Sequence, residues 1–162
     1  RLAEGKLPLR VTHNDTKLNN IMLDEKTRKG ICVIDLDTVM PGLSVNDFGD
    51  SIRFGASTGA EDEPDLTKIS CDLDLFEAYT KGFIEGCAGA LTEEELNQLV
   101  NGAKMMTLEC GIRFLTDYLE GDHYFKVHRD GQNLDRCRTQ FKLVADMEHK
   151  EMEMQEIVNK YR

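Results

Sequence analysis

The chain has 162 residues, 40% of them apolar, enough for one domain with a packed core. A net charge of −10 argues against a nucleic-acid or anionic-membrane partner, because both require clustered Lys and Arg. No apolar run reaches the roughly 18 residues of a membrane span. The five cysteines are odd in number and scattered, with no C-x-x-C pair, which suits reduced thiols in a cytosol better than a disulfide framework or a zinc site. Cys32, inside an apolar run, reads as core packing.

In chain order, residues 9–12 and 20–23 read as short strands. Ile31 to Ile34 is a continuous β-branched run of the kind a strand buried on both faces shows. The charged stretch 24–30, ending in Gly30, reads as a hairpin loop. Pro41-Gly42 punctuates a loop from Asp37 to about Asn46, after which Asn46 or Asp47 caps a short helix carrying Ile52, Phe54 and Ala56. The acidic stretch 59–65 is a surface loop. Apolar spacing predicts a helix from Leu73 to about Cys87. Thr92 and Glu95 form a capping box that opens the next helix, and Gly121 ends it. A last helix runs from about Leu134 to Tyr161, rich in Met and Glu near its end. The fold class expected is α+β: a small β segment carrying the chemistry, followed by helices.

The chemistry lies in His13-Asn14-Asp15-Thr16-Lys17-Leu18-Asn19-Asn20, directly after a strand. Phosphoryl transfer needs an anion to orient the attacking hydroxyl and oxygen ligands to hold Mg²⁺ against the phosphates. Asp15 fits the first role, and Asn20, five residues on, can fold back as a metal ligand. H-x-D with a later Asn has the shape of the protein-kinase catalytic loop. Lys17 stands where Ser/Thr protein kinases place a phosphate-contacting lysine; a solvated charge is the alternative. Asp35 ends the apolar strand 20 positions after Asp15, where a kinase sets its main Mg²⁺ aspartate. Asp37 is either a second-ion ligand or simply exposed. His13 reads as a structural histidine that hydrogen-bonds the loop. Asp47-Phe48-Gly49 spells the D-F-G of protein kinases but follows no apolar strand, so Asp47 reads as a helix cap and the spelling as coincidence. Asp50 is expected to support the catalytic loop by hydrogen bonding.

These segments, together with 32–42 and 46–56, resemble the aminoglycoside phosphotransferase and choline kinase family, most closely its bacterial N-acetylhexosamine 1-kinases. The likeness is dense over residues 9–57 and looser beyond. It implies the helical C-terminal lobe of a protein-kinase-like fold, with 1–57 as catalytic and metal segment and 58–162 as helical substrate subdomain. It implies a cytoplasmic enzyme passing the γ-phosphate of ATP, with Mg²⁺, to the anomeric hydroxyl of an N-acetylhexosamine. Asp15 would be the base, Asn20 and Asp35 the metal ligands, and Arg113 and Tyr124 would join Asp15 in binding the sugar. A plain ion pair of Arg113 with Glu109 or Asp117 is the alternative. The family's N-terminal lobe, with its phosphate-covering strands and nucleotide-anchoring lysine, has no counterpart in these residues. That lobe is the expected intramolecular partner, and the chain alone is expected to turn over negligibly.

Within the same fold, choline, ethanolamine, homoserine or an aminoglycoside are rival acceptors. A sulfatase is disfavoured, because no Cys or Ser stands two positions before Pro8, Pro41 or Pro64. A non-catalytic interaction domain is the remaining rival, with the Met-rich last helix as its surface. The joint presence of Asp15, Asn20 and Asp35 argues against it.

Overall fold

The computed structural model describes residues 4–162. Four short strands come first: β1 (Arg10–Thr12), β2 (Ile21–Leu23), β3 (Gly30–Val33) and β4 (Met40–Gly42). Five helices follow: α1 (Ser44–Gly55), α2 (Leu73–Gly86), α3 (Glu93–Glu120), α4 (Gln132–His149) and α5 (Glu151–Lys160). The α+β arrangement expected from the sequence is present. The strands form two antiparallel ribbons, β1 with β4 and β2 with β3.

The β2–β3 hairpin turns where the charged loop predicted it, with Leu23 opposite Gly30. Asp24 Oδ1 accepts from the backbone N–H groups of Lys26 and Thr27, an Asx turn that lets Arg28 take positive φ. The reading of β3 as doubly buried does not hold: Ile31 and Val33 are more than half exposed, and Cys32 is exposed rather than core. A β-branched run specifies extended backbone but not what covers it. Strand β4 falls in the stretch 37–46 expected as loop, in which Pro41 sits. Opposite Val11 on a two-stranded ribbon, Pro41 lacks only an N–H that an edge does not require.

Helix α1 begins before the predicted cap. Leu43 is its N-cap residue, so Asn46 and Asp47 lie in its first turn. Ser44 donates its hydroxyl to Glu95 across the molecule instead of capping locally. Glu95 meanwhile completes the predicted capping box with Thr92. Gly121 closes α3 in the left-handed region, as expected.

The predicted last helix is two. Lys150, at φ −98° and ψ 11°, separates α4 from α5. Its ammonium donates to Ser70 Oγ, the Cys71 carbonyl and Asp146, and Asp146 accepts from the Cys71 backbone N–H. This clamp to the segment before α2 holds the break in place.

All five helices share one core, in which Phe48 of α1 contacts Phe76 and Phe83 of α2 with ring centroids 5.9 Å and 5.2 Å apart. Met147, Met154 and Val158 are fully buried there, so much of the Met-rich tail is packing. Helices α1 and α3 meet backbone to backbone at Gly49 and Gly102. A Cβ on Gly49 would strike the Gly102 carbonyl, and one on Gly102 would strike that of Val45. Gly49 of the D-F-G spelling thus has a packing role.

Candidate active site

Strand β1 delivers the chain into the loop 13–17, whose backbone N–H groups point into the protein and need acceptors. Helix α1 supplies them. Asp47 accepts from the N–H of His13 (2.8 Å) through one carboxylate oxygen and from that of Asn14 (2.8 Å) through the other. Asp50, one helical turn on, accepts from the N–H of Thr16 at 2.8 Å. Two carboxylates three residues apart on α1 thereby fix the loop. The expected support by Asp50 has its hydrogen bond, whereas Asp47 is a loop anchor and not a helix cap.

The other flank is held by the segment before β4. Thr38 donates its hydroxyl to the His13 carbonyl at 2.6 Å, and the Asn14 amide donates to the Thr38 carbonyl at 2.9 Å. Asn14 reaches it from the left-handed region, φ 62°, a conformation Asn tolerates better than most residues. His13 bridges loop and hairpin: Nδ1 accepts from the Asp15 N–H at 3.3 Å, so Nε2 carries the proton it gives the Ile34 carbonyl at 3.0 Å. That is the structural role read for it.

Asp15, Lys17 and Asn20 are brought together. Asp15 Oδ2 lies 3.0 Å from the Lys17 ammonium and accepts from the Asn20 amide at 2.8 Å. Partial burial pushes the Asp15 carboxyl up. The hydrogen bonds from Lys17 and Asn20, with the positive charge of Lys17, outweigh this and leave it below its ordinary range. Asp15 is therefore anionic at neutral pH: a firm acceptor for a hydroxyl proton, though a weak base.

Asn20 is buried, and its amide nitrogen is committed to the Asp15 carbonyl and carboxylate. Its amide oxygen therefore faces away from Asp15. The backbone of Asn20 accepts from the Ile34 N–H at 2.9 Å, which sets Asp35 one residue beyond that pairing. Asp35 is exposed and left-handed at φ 60°, with no side-chain hydrogen bond across its own turn. Two uncommitted oxygen donors on adjacent segments suit a hard ion such as Mg²⁺, which takes one or two protein ligands and fills its sphere with phosphate and water. Among the described residues, no three His, Cys, Asp or Glu side chains converge on a metal position. Asp37 is exposed in the turn 36–38 and does not border the cavity described next.

A cavity of about 580 Å³ opens beside the loop. Asp15, Lys17 and Thr38 border it on the loop side; Asp50, Arg53 and Phe54 come from α1; Arg113 and Phe114 come from α3. Tyr124 and Phe125 also border it, because Asp117 accepts both of their backbone N–H groups, at 2.7 Å and 2.9 Å. Asp117 is thus engaged with that turn and with Asn133, and Arg113 pairs instead with Glu109 at 3.7 Å. The Arg113 guanidinium stands 5.6 Å from the Tyr124 ring centre and 5.3 Å from that of Phe125. Arg113 and Tyr124 therefore share the cavity with Asp15, whereas Asp35 and Asp37 do not border it.

Sequence reasoning missed Asp47 as loop anchor, and Arg53, Glu61 and Arg136 as cavity residues. The i,i+3 spacing of Asp47 and Asp50 was a usable signal. Glu61 and Arg136 carried none, being 75 positions apart.

An anionic carboxylate flanked by an ammonium and an amide, at the border of a cavity within a helical lobe, is equipped for group transfer to a hydroxyl. Residues 1–80, which carry the whole of this loop, match the family model described as the phosphotransferase enzyme family, that of the aminoglycoside phosphotransferases. The match supports a phosphotransferase. No helix among the described residues is long and apolar enough to cross a membrane.

Proposed function

We propose that this chain holds the catalytic loop and acceptor cavity of a cytoplasmic ATP-dependent kinase acting on the anomeric hydroxyl of an N-acetylhexosamine. The observation that carries the reading is Asp15, held anionic by Lys17 and Asn20 at the border of the cavity. The acceptor hydroxyl donates to Asp15 and passes it the proton as the oxygen bonds to the γ-phosphorus. The bond from that phosphorus to the bridging oxygen breaks, and ADP leaves with the electron pair. Lys17, beside Asp15, offsets charge on the phosphoryl oxygens. Asn20 and Asp35 would hold Mg²⁺, which when bound neutralises phosphate charge.

The cavity favours a neutral, hydroxyl-bearing acceptor. Four carboxylates border it (Asp15, Asp50, Glu61, Glu109) against five cations (Lys17, Arg53, Arg113, Lys126, Arg136). A polycationic aminoglycoside gains nothing from that balance, although the chain as a whole is acidic. Choline needs open aromatic faces, and Arg113 already stands over those of Tyr124 and Phe125.

Nucleotide gripping is assigned to an N-terminal lobe outside these residues, docked on the exposed apolar ribbons. The test is ADP release with a panel of N-acetylglucosamine, N-acetylgalactosamine, choline, homoserine and kanamycin, using the chain joined to such a lobe. Amino-sugar-dependent release, lost in Asp15→Asn, is expected. Release with choline or kanamycin alone would overturn the acceptor, and release unaffected by Asp15→Asn would overturn the mechanism. The chain by itself is expected to release negligible ADP.

A further inference from the structure

The charged groups bordering the cavity differ in how fully they are engaged. Asp50 gives Oδ1 to Arg53, which donates at 3.0 Å and 2.9 Å, and Oδ2 to the Thr16 N–H. Asp15 Oδ2 is taken by Lys17 and Asn20. Glu61 is only half engaged. Its Oε1 accepts from Arg53 at 2.9 Å, whereas its Oε2 lies 3.7 Å from Arg136 Nε, beyond hydrogen-bond reach.

Arg136 is the complementary case. Its Nη1 donates to Asn133 and to the Lys126 carbonyl, and its guanidinium lies over Phe114. Its Nε is buried without a hydrogen-bond partner. A donor lacking an acceptor and an acceptor lacking a donor thus stand 3.7 Å apart on two residues that border one cavity. Buried donors rarely stay unpaired. A hydroxyl satisfies both groups at once, donating to Glu61 Oε2 and accepting from Arg136 Nε. An oxygen about 2.8 Å from each lies roughly 2.1 Å off the line joining them. Neither an ammonium nor a carboxylate satisfies both: the first has nothing to accept with, the second nothing to donate.

The position is firmly built. Thr139 of α4 donates its hydroxyl to the Glu61 carbonyl, and Gln132 and Arg129 hold Asp62 beside it. On the other side, Arg53 joins Glu61 to Asp50, and Asp50 holds the catalytic loop at Thr16. The Arg53 side chain is only 9% exposed. The spacing between the Glu61–Arg136 pair and Asp15 is therefore set by charge-assisted hydrogen bonds through the buried Arg53 and Asp50.

We propose that Glu61 and Arg136 form a second hydroxyl-binding point of the acceptor cavity, holding one hydroxyl of a neutral polyhydroxyl acceptor while another faces Asp15. This rests on the phosphotransferase reading and adds two specificity-determining residues to it.

The probe is N-acetylglucosamine with its set of monodeoxy analogues, and binding to the chain is followed by saturation-transfer NMR titration. Removal of one particular hydroxyl is expected to weaken binding to the wild type about tenfold. In Glu61→Ala the parent sugar binds about tenfold more weakly, and removing that same hydroxyl costs nothing further. Glu61→Gln, which still accepts through its amide oxygen, restores part of the loss. Arg136→Met repeats the Glu61→Ala pattern for the same hydroxyl. Thermal unfolding confirms that each variant is folded. The proposal is overturned if every analogue loses the same factor in wild type and Glu61→Ala, or if the wild type does not bind the sugar. The phosphotransferase reading is judged separately, by ADP release across the acceptor panel and its loss in Asp15→Asn.

Discussion

Asp47 and Asp50 together accept three backbone N–H groups of the loop 13–17, those of His13, Asn14 and Thr16. Replacing Asp47 by Ala leaves two N–H groups without acceptors, at a cost of about 2 kcal/mol. Hydrogen exchange should accelerate at His13 and Asn14, with the α3 amides little changed; uniform acceleration would refute a local anchoring role. Glu95 carries a second prediction. Burial pushes its carboxyl up, but hydrogen bonds from Arg10, Ser44 and Thr92 outweigh this and bring it from 4.5 to about 2. A depressed folded pKa contributes stability that is complete above the unfolded value and is lost as pH falls through the folded one. The window is therefore pH 4.5 down to about 2, with up to roughly 3 kcal/mol at stake. Urea denaturation across that range should show the loss in wild type and a flatter profile in Glu95→Gln. At this scale the sequence was most readable where chemistry demands a local pattern, as in the run from Asp15 to Asn20. It was silent where a group acts across the fold, as Glu61 does with Arg136. Asp47 lay between these: its spacing was visible, but its role depended on α1 starting at Ser44, which brings Asp47 inside the helix and against the loop.

Among the elements, helices were legible because burial imposes a 3.6-residue period and caps announce their ends. Thr92 with Glu95 and the left-handed Gly121 bound α3 where expected. The break between α4 and α5 was not visible, since Lys150 is an ordinary helix residue whose three acceptors come from tertiary structure. The α1–α3 crossing was equally hidden, because a glycine inside a helix pattern does not say what approaches it. Gly102→Ala should cost about 2 kcal/mol or more, as the added carbon must push α1 away at the Val45 carbonyl. The same change at Gly82, where nothing lies within 4 Å, should instead stabilise α2 by roughly 1 kcal/mol. Paired thermal melts decide this, and equal responses would show that helix propensity rather than contact governs both sites.

Across the whole molecule, the apolar residues of the two ribbons are the anomaly. Val11 is 84% exposed, Ile31 61% and Val33 52%, the last two in the run expected as a buried strand. Ribbons of two strands are marginal by themselves, and these are held to the helical body through the loop 13–17 and Arg10, which pairs with Glu95. Exposed apolar surface of this kind marks an interaction face, and the occupant we propose for it is the N-terminal lobe. A decisive variant combines Val11→Ser, Ile31→Ser and Val33→Ser. Because these side chains bury little within the chain, its unfolding free energy should stay within about 0.5 kcal/mol per site of wild type. Joined to the lobe, the same variant should lose ATP affinity and turnover while its affinity for N-acetylglucosamine, set in a cavity that none of the three borders, is unchanged. Urea melts of the chain and steady-state kinetics of the joined protein separate the outcomes. A large loss of stability in the chain alone would mean that the ribbons pack on the helical body, and unchanged ATP affinity in the joined protein would mean that the lobe docks elsewhere.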